Sequence, residues 1–157
     1  SKMYTFAVAP LVPTYFAFSD GGHNEHNIMA IGWWITNSNR CVAADGKVIA
    51  DERASNTVAE YRGLISCLNA ALNLGITSLV MSMDSLLVVN HVTNKWNCKD
   101  SVLLHLLRQA TALAEQFQHF SIFHTFRELN TVADALCNLA FDGISHKQKG
   151  WARVVHT

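Results

Sequence analysis

Proline is scarce in this chain, charge is sparse, and neither sign dominates. The 157 residues include two prolines, and 15% are Asp, Glu, Lys or Arg, with twelve basic residues against twelve acidic ones. A formal net charge of zero excludes a whole-protein electrostatic argument for a polyanionic partner, so any nucleic acid must be gripped by a local patch. Half the residues are apolar, which excludes wholesale disorder and gives a chain of 17.4 kDa enough material for one core. No apolar run is long enough for a membrane span, and the stretch from Phe6 to Val12 is too short and lacks a cleavage pattern. Cys41, Cys67, Cys98 and Cys137 contain no C-x-x-C pair, which argues against a zinc or redox motif. They read as reduced thiols of an intracellular protein in cytoplasm or nucleus.

What is present is a clear change of period. Thr14 to Ser19 reads as a strand ending at Asp20, with Gly21 and Gly22 as its turn. Ile28 to Asn37 and Arg40 to Ala50 read as two further strands, the last with a candidate turn at Asp45-Gly46. Spacings this short favour an antiparallel meander. From Thr57 to Leu74 the residues Tyr61, Leu64, Ile65, Leu68 and Leu72 make a helical stripe, with Gly75 as its stop. Ser78 to Met83 is a short strand that meets Asp84, and a short helix begins at Asp84 or Ser85. Leu103, Leu106, Leu107, Ala110, Leu113, Ala114 and Phe117 mark another helix, capped by Asp100 or Ser101. Phe120 to Arg127 reads as the last strand and 130–140 as the last helix. Three strands followed by alternating strands and helices predict an α/β fold with a five-stranded mixed sheet: an antiparallel meander of three strands plus two parallel strands, with helices on both faces. The expected division is an N-terminal extension or tag remnant (1–13), one domain (14–141) and a basic tail (142–157).

Four acids stand at the edges of these elements: Asp20, Glu60, Asp84 and Asp134. Strand ends on neighbouring parallel strands would bring Asp20 and Asp84 side by side at a sheet edge, where ligands of open α/β sheets bind. Four converging carboxylates need compensating cations, and oxygen-only donors select Mg²⁺ or Mn²⁺. Each acid also has an ordinary structural reading. Glu60 completes a capping box begun by Thr57, Asp134 complements a helix dipole, Asp20 forms a turn, and Asp84 caps a helix.

The blocks YFAFSDGG, ASNTVAEYRGLISCLNAALNLGI, SLVMSMDSLLVV and HTFRELNTVADALCNLA together resemble type 1 ribonuclease H, in its archaeal and plant-like branch. The resemblance runs from Tyr15 to Ala140 with all four acids in family order. It implies an endonuclease that hydrolyses the RNA strand of RNA/DNA hybrids and leaves 5′-phosphate and 3′-hydroxyl ends. It further implies that Asp20, Glu60, Asp84 and Asp134 hold two Mg²⁺ or Mn²⁺ ions, one activating water and one stabilising the leaving oxygen. Gly21, Gly22, Ser55, Asn56 and Ser85 fall at family positions for substrate contact, and His124 is a candidate accessory that the F-x-I-F-H-T-F pattern places on a strand.

The chain departs from the family in having Leu86 where Gln is common, GGHNEHN in place of a Gly-Asn-Pro-Gly run, and only Asn94 to Lys99 where bacterial relatives carry a basic protrusion. Lys95, Trp96 and Lys99 offer a weak substitute or a solvated loop. His23 and His26, like His91, His105 and His119, are expected at the surface. The expected partner is an RNA/DNA hybrid, with no membrane. The domain is expected to be monomeric in isolation, and either free-standing or part of a retroelement polyprotein alongside a reverse transcriptase. The alternatives are a nuclease of this fold acting on other nucleic acids, and a non-catalytic hybrid-binding domain.

Overall fold

Alternating and continuous apolar runs give this chain its strands, and the 3.6-residue stripes give it helices that cover them. The computed structural model describes residues 12–37, 40–125 and 154–155. Strands β1 (Tyr15–His23), β2 (Ile28–Asn37) and β3 (Arg40–Ala50) form the expected antiparallel meander. Helix α1 (Asn56–Asn73) follows, then β4 (Ser78–Met83), α2 (Leu86–Val92), α3 (Ser101–Ala114) and β5 (His119–His124). β4 pairs parallel with β1, and β5 parallel with β4. The five expected strands are therefore all present. A two-residue strand, β6 (Val154–Val155), adds to the free edge of β3 and gives the order β5-β4-β1-β2-β3-β6. Two residues are too few to show a period, so β6 is not among the expected strands.

Two boundaries differ from expectation in ways that bear on the site. β1 does not end at Asp20 but continues through Gly21 and Gly22 to His23, paired with β2 throughout. The turn comes later, where the Asn24 side chain accepts from the backbone N–H of His26 and Ile28, and Asn27 takes the left-handed conformation at φ 57°. Asp45-Gly46 is likewise no turn, because β3 runs through it opposite Trp33 and Gly32. The last expected strand stops at His124 with Thr125 already outside it, and residues 126–127 and the helix over 130–140 lie outside the described residues.

α1 is the centre of the core. Tyr61, Leu64, Ile65 and Leu68 are buried against Met29, Ile35, Leu79, Met81 and Met83 of the sheet. Burying each such aliphatic side chain is worth roughly 1.5–3 kcal/mol before entropy is charged. Of the adjacent tryptophans, Trp33 faces α1 and donates from Nε1 to Ser66 Oγ at 3.1 Å, while Trp34 lies on the opposite face beside Phe18. Gly75 ends α1 at φ 78°, with its N–H bonded to Leu72 O and the Ile76 N–H to Ala71 O, the paired closure that only a left-handed residue permits. Among the described residues no helix is long and apolar enough to cross a membrane.

Candidate metal centre

The parallel pairing of β1, β4 and β5 ends in one row, Ser19 opposite Met83 and Met83 opposite His124. Asp20 and Asp84 are the next residues along their strands, so two neighbouring chains deliver a carboxylate at the same level of the sheet edge. This is the juxtaposition expected, although Asp20 reaches it from within a strand. Its Oδ1 accepts from the Gly21 N–H at 2.8 Å, and the residue is only 4% exposed.

Glu60 arrives from α1 because two glycines let helix and strand touch through their backbones. A Cβ on Gly21 would lie 2.2 Å from the Ala59 carbonyl carbon and oxygen, and one on Gly63 would lie 2.5 Å from Asp20 O. Gly63 was not singled out in the sequence. A glycine inside an otherwise regular helical stripe costs about 1 kcal/mol against alanine, and that unexplained cost was the signal for it.

The helix caps separate the acids from their ordinary readings. Ser55 is the N-cap of α1, its Oγ accepting from Val58 N–H at 3.0 Å, so the box expected from Thr57 to Glu60 does not form. The serine starts the helix earlier than expected and leaves Glu60 beyond its first turn. Ser85 caps α2 through Val88 N–H at 3.3 Å, so Asp84 is not the cap either. Asn56 Oδ1 accepts from His23 N–H at 3.0 Å and ties the start of α1 to the end of β1. Gly22 stands opposite Ala30 in β2.

Asp20, Glu60 and Asp84 each present an oxygen within 4.8 Å of the others. At an effective dielectric of about 20, each pair of carboxylates this close repels by roughly 3–4 kcal/mol. A divalent cation removes that cost, and three oxygen donors without sulfur or nitrogen suit a hard ion such as Mg²⁺ or Mn²⁺. Asp134 lies outside the described residues. His124 ends β5 one residue short of the carboxylate row and is exposed.

One expectation about the histidines is overturned. His91 is 7% exposed, and its Nδ1 shares a 2.8 Å hydrogen bond with the buried Tyr61 hydroxyl. Its place on the inner side of α2 accounts for this. Burial pushes the Tyr61 hydroxyl pKa well above its usual value, with Cys98 and Glu60 adding smaller electrostatic contributions. His26 and His105 are exposed as expected, and His119 with them.

Residues 18–140 match the family described as reverse transcriptase-like. The chain is 36% identical over 118 residues to ribonuclease HI of Halobacterium salinarum, covering 72% of this chain and 56% of that protein. The crystal structure of RNase H1 from that archaeon aligns with a TM-score of 0.78 at 35% identity, over 82% of this chain and 98% of the archaeal one. The chain belongs to the type 1 ribonuclease H family. It is also 42% identical over 109 residues to the bifunctional protein Rv2228c of Mycobacterium tuberculosis, covering 69% of this chain and 29% of that protein. The N-terminal RNase H domain of that protein, solved as a fusion with maltose binding protein, aligns with a TM-score of 0.79. LC11-RNase H1, solved in complex with an RNA/DNA hybrid, aligns at 25% identity with a TM-score of 0.76 over 83% of this chain and 98% of its own. The chain thus carries the ribonuclease H nuclease fold, and it spans about half or less of the length of the curated relatives it matches.

Proposed function

We propose that this ribonuclease H domain is a metal-dependent endonuclease that cuts the RNA strand of RNA/DNA hybrids by two-metal-ion catalysis. The observation that carries the reading is the convergence of Asp20, Glu60 and Asp84 within 4.8 Å at the ends of two parallel strands. Family membership and the hybrid-bound LC11 relative support the substrate. Asp134 completes the acidic set by its place in the family motif.

Water attacks the phosphorus, its oxygen stays in the 5′-phosphate, the bond to the 3′ oxygen breaks, and that oxygen leaves as a hydroxyl after taking a proton. Two Mg²⁺ or Mn²⁺ ions, when bound, supply the activated water and neutralise the leaving oxygen. The chain's own residues hold the acids in place. The Gly21 N–H fixes Asp20, Ser85 takes the helix end from Asp84, and the close contact of α1 with β1 sets Glu60 beside them. Gly21, Gly22, Ser55, Asn56 and Ser85 border this edge as the proposed contacts to nucleotides, with the RNA 2′-hydroxyl as the group that distinguishes the strands. His124, exposed at the end of β5, is a proposed accessory to turnover and not one of the ligands. The free thiols of Cys41, Cys67 and Cys98 fit a reducing, intracellular setting.

Incubating the domain with end-labelled RNA/DNA hybrid, duplex RNA and duplex DNA in Mg²⁺, Mn²⁺ or chelator tests this. Cleavage of the hybrid RNA strand alone, abolished by chelator, is the expected result. Retention of hybrid without cleavage in either metal would assign the domain to binding instead, and cleavage of duplex DNA would move it to another substrate class.

A further inference from the structure

The two edges of the sheet are finished differently. β3 carries Arg40, Asp45 and Lys47 along one edge and is partly covered there by β6. β5 ends the sheet on the other side, and among the described residues no strand pairs with its outer edge. Its sequence, HFSIFH, contains no Lys, Arg, Asp, Glu, Gly or Pro. Charges, prolines and covering strands normally keep an edge from pairing with another chain, and β5 carries neither charge nor proline.

The hydrogen bonds to β4 fix which backbone groups look outward. His119 N–H donates to Thr77 O and Thr125 N–H to Met83 O, so alternate residues from His119 onward turn to β4. Phe120 and Ile122 therefore turn their N–H and C=O groups to the open side. Beside them lies a mostly apolar groove of about 430 Å³, walled by Val92 of α2 and Ala114 of α3, with Glu115 as the one charge in its lining. On the opposite face of the strand Phe123 is 57% exposed.

Two outward residues with one between them are what an antiparallel copy of the same strand can match. With a two-fold axis through Ser121, Phe120 meets Ile122 of the second copy and Ile122 meets its Phe120, each pair exchanging both backbone hydrogen bonds. Ser121 then opposes itself, and the exposed Phe123 lies across from His119 of the second copy. No like charges are brought together along the strand. A strand of 6 residues is about 20 Å long. Taken with a depth of about 20 Å from helix layer to far face, it would bury about 400 Å² per copy, or about 800 Å² in all, which is below the roughly 1,200 Å² of stable complexes and suits a weak, reversible one.

We propose that the outer edge of β5 is a self-association surface, on which two copies of this chain pair β5 to β5, antiparallel about Ser121, and join their sheets into one. The inference does not depend on the nuclease reading, and it replaces the expected monomer with a weak dimer. Because the strands of the second copy run the other way, its carboxylates lie at the opposite end of the joined sheet and neither acidic site is covered.

Sedimentation velocity of the 157-residue chain, run from micromolar to millimolar concentration, tests the proposal. The expected result is a monomer that passes reversibly into a dimer. Ser121→Lys sets two like charges face to face on the axis and should weaken association about tenfold or more, as should Phe123→Lys at its exposed position. Thermal midpoints equal to wild type at low concentration are the folding control for both. Ser121→Glu alone should also fail to associate, and an equimolar mixture of Ser121→Lys with Ser121→Glu should dimerise again, a rescue that requires residue 121 to oppose itself. A wild-type chain that stays monomeric throughout would overturn the proposal and leave the edge to a foreign extended peptide. A dimer indifferent to both lysine variants, or lysine and glutamate variants that do not associate when mixed, would overturn it as well.

Discussion

Ser85 decides what Asp84 is for. By accepting the Val88 N–H it takes over the start of α2, and the neighbouring carboxylate is turned to the site instead of to a helix end. Asp84→Asn should therefore lower hybrid cleavage by about a hundredfold or more while leaving thermal stability in chelator equal to or above wild type, since one repelling charge is gone. Parallel cleavage assays and melting curves check both halves. Gly21→Ala should have the opposite effect on stability. Its new Cβ would meet the backbone of Ala59 and Glu60, which cannot swing aside, so a loss of about 3 kcal/mol or more in urea unfolding is expected, and hybrid cleavage should fall with it as Glu60 is pushed from Asp20. That Asp20, Glu60 and Asp84 stand together was legible in the sequence. What was not legible was which serine caps which helix, because Asp84 and Ser85, like Ser55 and Thr57, are all acceptable caps and only the observed hydrogen bonds choose among them.

At the level of elements, α1 and α2 are joined by the buried Tyr61–His91 hydrogen bond, and each helix carries or adjoins a member of the site, Glu60 before Tyr61 and Asp84 before α2. Tyr61→Phe keeps the ring and leaves His91 Nδ1 buried without its partner, so a stability loss of about 1–3 kcal/mol is expected. Denaturant unfolding reads that loss, and hydrogen exchange at α2 should report looser protection there than in α3. The stripes of α1 and α3 were readable because 3.6-residue periods persist over many turns. The end of β1 was not, because Gly-Gly-His carries no alternation and two glycines imitate a turn. His91 read as a surface residue because a short helix has too few residues to show which side faces inward.

For the whole molecule, one core unites the sheet with its helices, and Cys67 lies inside it at 0% exposure. Burial raises the pKa of its thiol far above the ordinary 9.0. The folded state then keeps a proton that the unfolded chain releases, so this group's contribution to stability is intact below pH 9.0 and is lost progressively as pH climbs past it. Thiol reagents should modify Cys41 and Cys98 in the native protein and reach Cys67 only on unfolding, which mass spectrometry of labelled peptides can follow against urea concentration.

The strand that carries Asp20 finds its parallel neighbour 64 positions further along, Tyr15 opposite Leu79. A ribosome must finish β4 before that strand has both of its partners. Two acids are made early and can do nothing until the third is threaded in beside them. Competence is therefore gained in one late closure rather than by degrees, and a chain cut short before Asp84 could form the meander and still be inert.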